Sequence, residues 1–187
     1  LTDKHANYTL GRPMSNDFPL YFDPALFAQQ QRIIKAEIGV GLIPRISEFV
    51  NHANTSLLIE FSFSKSELGF AMVQGFISGS VIQTCQRCMQ DTEVVVEQPV
   101  HLIMVTAQKM ELAQREGVEI YEYDGQSIET VNLVADEVIL GLPIVVKHEE
   151  LDQCDPKTKQ WLQGFNDEDK ASHRDNPFAQ LKDLKIK

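Results

Sequence analysis

"LGFAMVQGFISGSVIQTCQRCMQDTEVVVEQPVHLIMVTA", residues 68 to 107, sets two long runs of strand-forming residues on either side of a Cys-x-x-Cys. Both runs are rich in β-branched and aromatic residues, which suit a pleated, half-buried surface. Gly75 and Gly79 in the first run predict bulges or bends, and Pro99 in the second marks an edge or bulge position. Just upstream, "SLLIEFSFS" places Leu57, Ile59, Phe61 and Phe63 on one side and Leu58, Glu60, Ser62 and Ser64 on the other. That period of two is a half-buried strand. Three neighbouring strands with short connections predict an antiparallel meander, curved at the glycines.

Working outward, "YFDPALFAQQQRIIKAEIGV" carries a helix start: Asp23 as cap and Pro24 at the first helical position. Leu26, Phe27, Ile33 and Ile34 then supply an apolar face, and "IPRISEFV" allows a short second helix after Pro44. Downstream, Asp124-Gly125 is a turn signal inside an acidic stretch that can hold a short helix or loop. Val131, Val134, Val138 and Leu142 recur every three to four residues, with Asn132 as cap and Gly141 and Pro143 as terminators. The expected fold is α+β: a curved antiparallel β-sheet with an N-terminal helix, a C-terminal amphipathic helix packed on it, and a flexible polar tail. Residues 1–13, upstream of Met14, read as a disordered extension, 14–155 as a single α+β domain and 156–187 as a mobile tail. Within that tail "NPFAQLKDLK" spaces Phe178, Leu181 and Leu184 at helical intervals.

The chain has 187 residues, 43% apolar and 24% charged, the balance of an ordinary globular domain. No apolar run approaches the ~20 residues needed to span a bilayer, and the N-terminus lacks the pattern of a signal peptide. With three cysteines, a disulfide framework is not expected, and the reading is a reducing cytoplasm. The net charge of −10 is uneven. Residues 1–107 carry 7 Lys+Arg against 10 Asp+Glu, residues 108–155 carry 3 against 12, and residues 156–187 carry 7 against 5. Such a field repels phosphate backbones, which argues against sequence-blind nucleic-acid binding. An acidic middle segment attracts a basic partner such as a ribosomal protein; solubility alone is the competing explanation. Asp136, Glu137, Glu149 and Glu150, with Phe178, Leu181 and Leu184 of the tail, are the candidate partner-binding residues. Asp136 and Glu137 are expected on the outward, solvated face of their helix.

The Cys-x-x-Cys has three readings. A redox dithiol needs a helix N-terminus to stabilise its thiolate, and "TEVVVE" after the cysteines is strand rather than helix material. A strand–turn–strand hairpin is also how zinc knuckles present two thiolates. Cys85, Cys88, His148 and Cys154 would make a Cys3His set for structural zinc if the 131–142 helix returns the chain to the hairpin. The third reading is buried free thiols packing as small hydrophobes. No Gly-rich phosphate loop, GxSxG or HExxH accompanies them, so nothing in the residues argues for an enzyme. His5, His52, His101 and His173 are scattered.

"CQRCMQ", then "ETVNLVADEVILGLPIVVKHEELDQC", and a closing "NPFAQLKDLK" together resemble the bacterial YceD family of large ribosomal RNA subunit accumulation proteins. The resemblance is most specific from Asp136 to Pro143 and from Asn176 to Leu184. It implies a non-enzymatic protein supporting the synthesis, processing or stability of 23S ribosomal RNA. Many members carry further cysteines after the Leu-Pro helix end, where this sequence offers only His148 and Cys154. The expectation is indirect action, the 108–155 region holding a basic ribosomal protein or assembly intermediate. The alternatives are direct RNA contact through Lys157, Lys159, Lys182, Lys185 and Lys187, and a thiol-redox protein.

Overall fold

The computed structural model describes residues 18–171 apart from residue 53. In chain order the elements are β1 (Tyr21–Phe22), α1 (Pro24–Gln30), β2 (Ile33–Gly39), α2 (Pro44–Ser47), β3 (Ser56–Lys65), β4 (Ala71–Thr84), β5 (Asp91–Val105), α3 (Met110–Ala113), β6 (Glu119–Glu122), β7 (Ile128–Glu129), α4 (Thr130–Gly141) and α5 (Pro156–Ala171). A five-stranded sheet has the order β2-β3-β4-β5-β6, antiparallel except for the parallel β5–β6 pair, and is not closed into a barrel. β1 and β7 form a second, two-stranded sheet. The α+β class and the antiparallel meander are as expected from the alternation.

One face of the large sheet makes the core. Leu57, Ile59, Phe61 and Phe63 of β3 are buried, and Leu58 and Glu60 between them are exposed. Leu133, Val134 and Val138 of α4 close over them, joined by Phe22 and by Ile34, Ala36 and Ile38 of β2. Phe22, Phe27 and Phe63 meet at ring-centroid distances of 5.2 to 5.4 Å, which ties α1 to the strand ends. Gly75 is required where β3 and β4 press together. A Cβ there would lie 1.9 Å from the Glu60 carbonyl oxygen. Gly79, four residues on, holds φ at +153°, and a Cβ there would lie 2.7 Å from the Ser56 carbonyl oxygen; strand pairing runs through both glycines without a bulge.

Four details differ from expectation. The first helix stops at Gln30, where Gln31 takes a left-handed φ of 51°, and Ile33 and Ile34 begin β2. The "IIKAEIG" stretch alternates with period two, and pairing along β3 outweighs the helical spacing of Ile33 and Ile34 with α1. α4 starts after Glu129, not at an Asn132 cap; the Asn132 side-chain amide donates to Glu129 Oε2 at 2.6 Å from inside the first turn. The acidic stretch contains β6, a four-residue strand parallel to β5. Residues 156–171 of the expected tail form α5, and the "NPFAQLKDLK" motif lies outside the described residues. Among the described residues no helix is long and apolar enough to cross a membrane.

Candidate metal centre

The β4–β5 hairpin outreaches β3. β3 pairs with β4 only as far as Gly79, while β4 and β5 continue together to Thr84 and Asp91. This overhang is braced by the chain before β3. Asn51 N–H donates to the Ile82 carbonyl at 2.8 Å, and the Gln83 side chain donates to the Phe49 carbonyl at 2.9 Å. His52 Nε2 sits 2.9 Å from Asp91 Oδ2, and that bond with the one from Asn51 holds the Asp91 carboxyl below the usual carboxylate range.

At the tip, Cys85 N–H donates to the Gln90 carbonyl and Met89 N–H to the Cys85 carbonyl, each at 2.8 Å. Met89 turns the corner with a φ of 60°. The motif is therefore a hairpin turn and not a helix start, as the valines after it predicted. The two thiols lie inside it, Cys85 fully buried and Cys88 nearly so.

The chain after α4 supplies the other half. Leu142 caps the helix and Pro143 follows, so the backbone leaves the sheet and runs back to the tip. Gln86 N–H donates to the Val146 carbonyl at 2.8 Å, fixing the register of that approach. His148 N–H donates to Cys85 Sγ at 3.5 Å, and its ring Nδ1 lies 3.5 Å from Cys88 Sγ and 3.6 Å from Cys154 Sγ. A short 3-10 turn, Leu151–Gln153, with reciprocal capping between Glu150 and Gln153, delivers Cys154. Asp155 then caps α5 through bonds from the Lys157 and Thr158 amides.

The four expected residues are thus brought together, the cysteines buried and His148 half-buried, with their ligand atoms within 4.8 Å of one another. The spacing can be tested against a metal. Zinc bonds of ~2.3 Å to sulfur and ~2.0–2.1 Å to nitrogen, set at a tetrahedral angle, place S and N about 3.6 Å apart. The two Sγ–Nδ1 distances match that edge. The imidazole is also oriented for ligation: Nε2 is 3.2 Å from the Asp91 carbonyl, which accepts its proton and leaves the Nδ1 lone pair facing the thiols. Burial pushes the Cys85 thiol up, yet the amides of His148, Arg87 and Cys88 aimed at its sulfur outweigh this and bring it down to about 6. Cys154 is pushed up, first by burial and then by its bond to Cys88. A cation among them would remove that conflict by taking all three sulfurs as thiolates. The group is able to hold a metal ion, and three thiolates with one imidazole suit zinc in a closed structural site.

Arg87, between the two hairpin cysteines, was not singled out in the sequence. Its Nη2 donates to the carbonyls of His148 at 2.6 Å and Glu150 at 3.3 Å, strapping the ligand loop to the hairpin. Its long side chain in the x-x of a Cys-x-x-Cys is a signal only once the loop's return is known.

The acidic candidates are dispersed. Asp136 is half-buried and ion-paired with Arg45 at 2.5 Å. Glu137 is not on a solvated face: it is 4% exposed, because α4 turns it toward Gln98 of β5. Glu149 and Glu150 are exposed beside the metal centre. Phe178, Leu181, Leu184, Lys182, Lys185 and Lys187 lie outside the described residues. Lys157 and Lys159 fall on the first turns of α5, with Lys159 paired to Asp152.

No solved structure matches the chain. A family model described as large ribosomal RNA subunit accumulation protein YceD matches residues 73–185, from near the start of β4 through both halves of the candidate metal centre.

Proposed function

Because the chain belongs to the YceD family of large ribosomal RNA subunit accumulation proteins, we propose that it supports 23S ribosomal RNA by holding a basic ribosomal protein or assembly intermediate on its acidic surface. It acts as a non-enzymatic factor, and a structural zinc held by Cys85, Cys88, His148 and Cys154 shapes the region that makes contact.

The observation that carries this reading is the family match over the acidic half of the chain, where residues 108–155 hold 3 Lys+Arg against 12 Asp+Glu. Phosphate is repelled by such a surface and basic peptide attracted. The cluster supports a structural role for the metal, since four protein ligands fill a tetrahedral site and leave no position for a substrate. The Cys-x-x-Cys itself lies in a hairpin turn and opens no helix, which does not favour the redox alternative.

The test is capture by the purified protein at ~150 mM salt, where long-range attraction is screened to within about 8 Å. Identified basic large-subunit ribosomal proteins are expected to be retained, and 23S fragments only in their presence. Retention of a naked 23S fragment, unaffected by removing ribosomal proteins, would overturn the proposal in favour of direct RNA contact.

A further inference from the structure

The large sheet has one strand position that is only half filled. β5 runs 15 residues, but β6 pairs only with Leu102–Val105. Odd-numbered residues of β5 turn their backbone groups toward that outer side. The Asp91 carbonyl accepts from His148 Nε2 at 3.2 Å, and the Val105 carbonyl accepts from Tyr123 N–H at 3.0 Å. Pro99, which has no N–H to give β4, falls in the same parity. Between the metal centre and the start of β6, the outward N–H and C=O groups of Glu93, Val95 and Glu97 have no protein partner among the described residues. Their side chains are exposed as well, Val95 by 66%. An unpaired run of this kind is a template for an added strand.

The charges along the gap select the occupant. Glu93 and Glu97 flank it, and Glu119 opens β6 at its far end. Buried Glu137 lies close by, bonded to the Gln98 side chain and near Glu119, with no cation at ion-pair distance among the described residues. A second copy of this edge is a poor fit: antiparallel pairing about Val95 sets Glu93 of one chain opposite Glu97 of the other, and Pro99 withholds a donor. A nucleic-acid backbone is repelled by the same carboxylates and offers no strand hydrogen bonds. A basic polypeptide in extended conformation meets both demands.

We propose that residues 93–97 of β5 take up an extended basic peptide as an added strand, in line with β6. The inference rests on the reading that a basic protein is the partner, and gives its mode of attachment: main-chain ladder bonds for affinity, carboxylates for choice of sequence.

The test uses the full chain with zinc and a ten-residue peptide of alternating Lys and Val. A second peptide of equal charge carries N-methyl groups at alternate amides, which removes its strand donors. The unmodified peptide is expected to slow hydrogen exchange at the amides of Glu93, Val95 and Glu97, and the methylated one to bind at least tenfold more weakly. The double variant E93Q/E97Q, which changes only exposed side chains, is expected to lose about tenfold in affinity and to show a flatter salt dependence. Equal binding of the two peptides, protection confined to other amides, or equal protection by oligouridine would overturn the proposal. Capture of identified ribosomal proteins separates it from the functional reading. If Val95→Pro and E93Q/E97Q capture as well as wild type, the added strand is wrong and the basic partner stands. If wild type captures none while the peptide results hold, the edge stands and the partner reading falls.

Discussion

Two single residues are held in positions that only the packed chain explains. Arg87 reaches across the hairpin tip to two carbonyls of the ligand loop. Outer-shell groups of this kind typically hold a 10- to 100-fold share of metal affinity. Arg87→Ala should therefore weaken zinc binding by about that factor in a competitive chelator titration while keeping all four ligands. Glu137 is the other case. Burial, with Glu119 and Asp136 close by, holds its carboxyl above the usual range, and the bond from Gln98 offsets only part of this. For an acid whose folded pKa is raised, the ionised form is the one that costs stability. The cost is full above the folded pKa, is relieved as pH falls through it, and is absent below the ordinary glutamate value of ~4.3. Glu137→Gln should raise the melting temperature at pH 7 by a few degrees, roughly the effect of 1 kcal/mol in a domain of this size. Scans at pH 4 should show no gain. Neither position was legible in the sequence: Glu137 beside Asp136 reads as a solvated pair until the roll of α4 about its axis is known.

Among the elements, the strands could be read where two signals agreed. β3 buries Leu57, Ile59, Phe61 and Phe63 in strict alternation, with Leu58 the apolar member left on the exposed side. β2 gave conflicting signals, because Ile33 and Ile34 fit a helical period with α1 as well as a strand period with Ala36 and Ile38. Long-range pairing with β3 decided it, and no local window contains that information. β6 was missed for another reason: four residues, half of them glutamates, give no period to detect. The glycines of β4 stood out in the sequence as expected bulges or bends, but the ladder runs through both unbroken, and what requires Gly75 is the close approach of the Glu60 carbonyl across it. Gly75→Ala forces β3 and β4 apart at the centre of the sheet. It should cost about 3 kcal/mol or more, beyond the ordinary 1–3 of an overpacked side chain, because the obstruction is backbone. Urea titration of the variant should show a lower midpoint with an unchanged slope.

For the molecule as a whole, the Cys3His cluster joins what the sheet leaves separate. The hairpin tip overhangs the core, and the chain from Pro143 to α5 meets it through the Gln86–Val146 bond, the Arg87 strap and the ligand cluster. The cluster was legible because cysteine and histidine are chemically scarce. The 60-residue separation of Cys88 and His148 was bridged only by the expectation that α4 lies on the sheet. Chelation should remove zinc from the native mass and speed proteolysis between residues 142 and 155. The strands of the core should keep their exchange protection, since their burial owes nothing to the metal. If β3 lost protection as early as the ligand loop, the centre would be holding the whole domain and not its periphery.

The wide separation of those ligands also sets an order in time. During synthesis, at about 5–20 residues per second, the hairpin with Cys85 and Cys88 emerges several seconds before His148 and Cys154. Two thiolates on a short turn can take a metal ion loosely at once, and the remaining ligands arrive after α4 has been made and has found its place on the sheet. Closure of the centre thus reports that the preceding helix has docked. With zinc as the occupant, a chain whose α4 folds slowly would wait with the ion half-coordinated and open to exchange, and refolding followed by a zinc indicator should show a fast weak phase and a slower tight one.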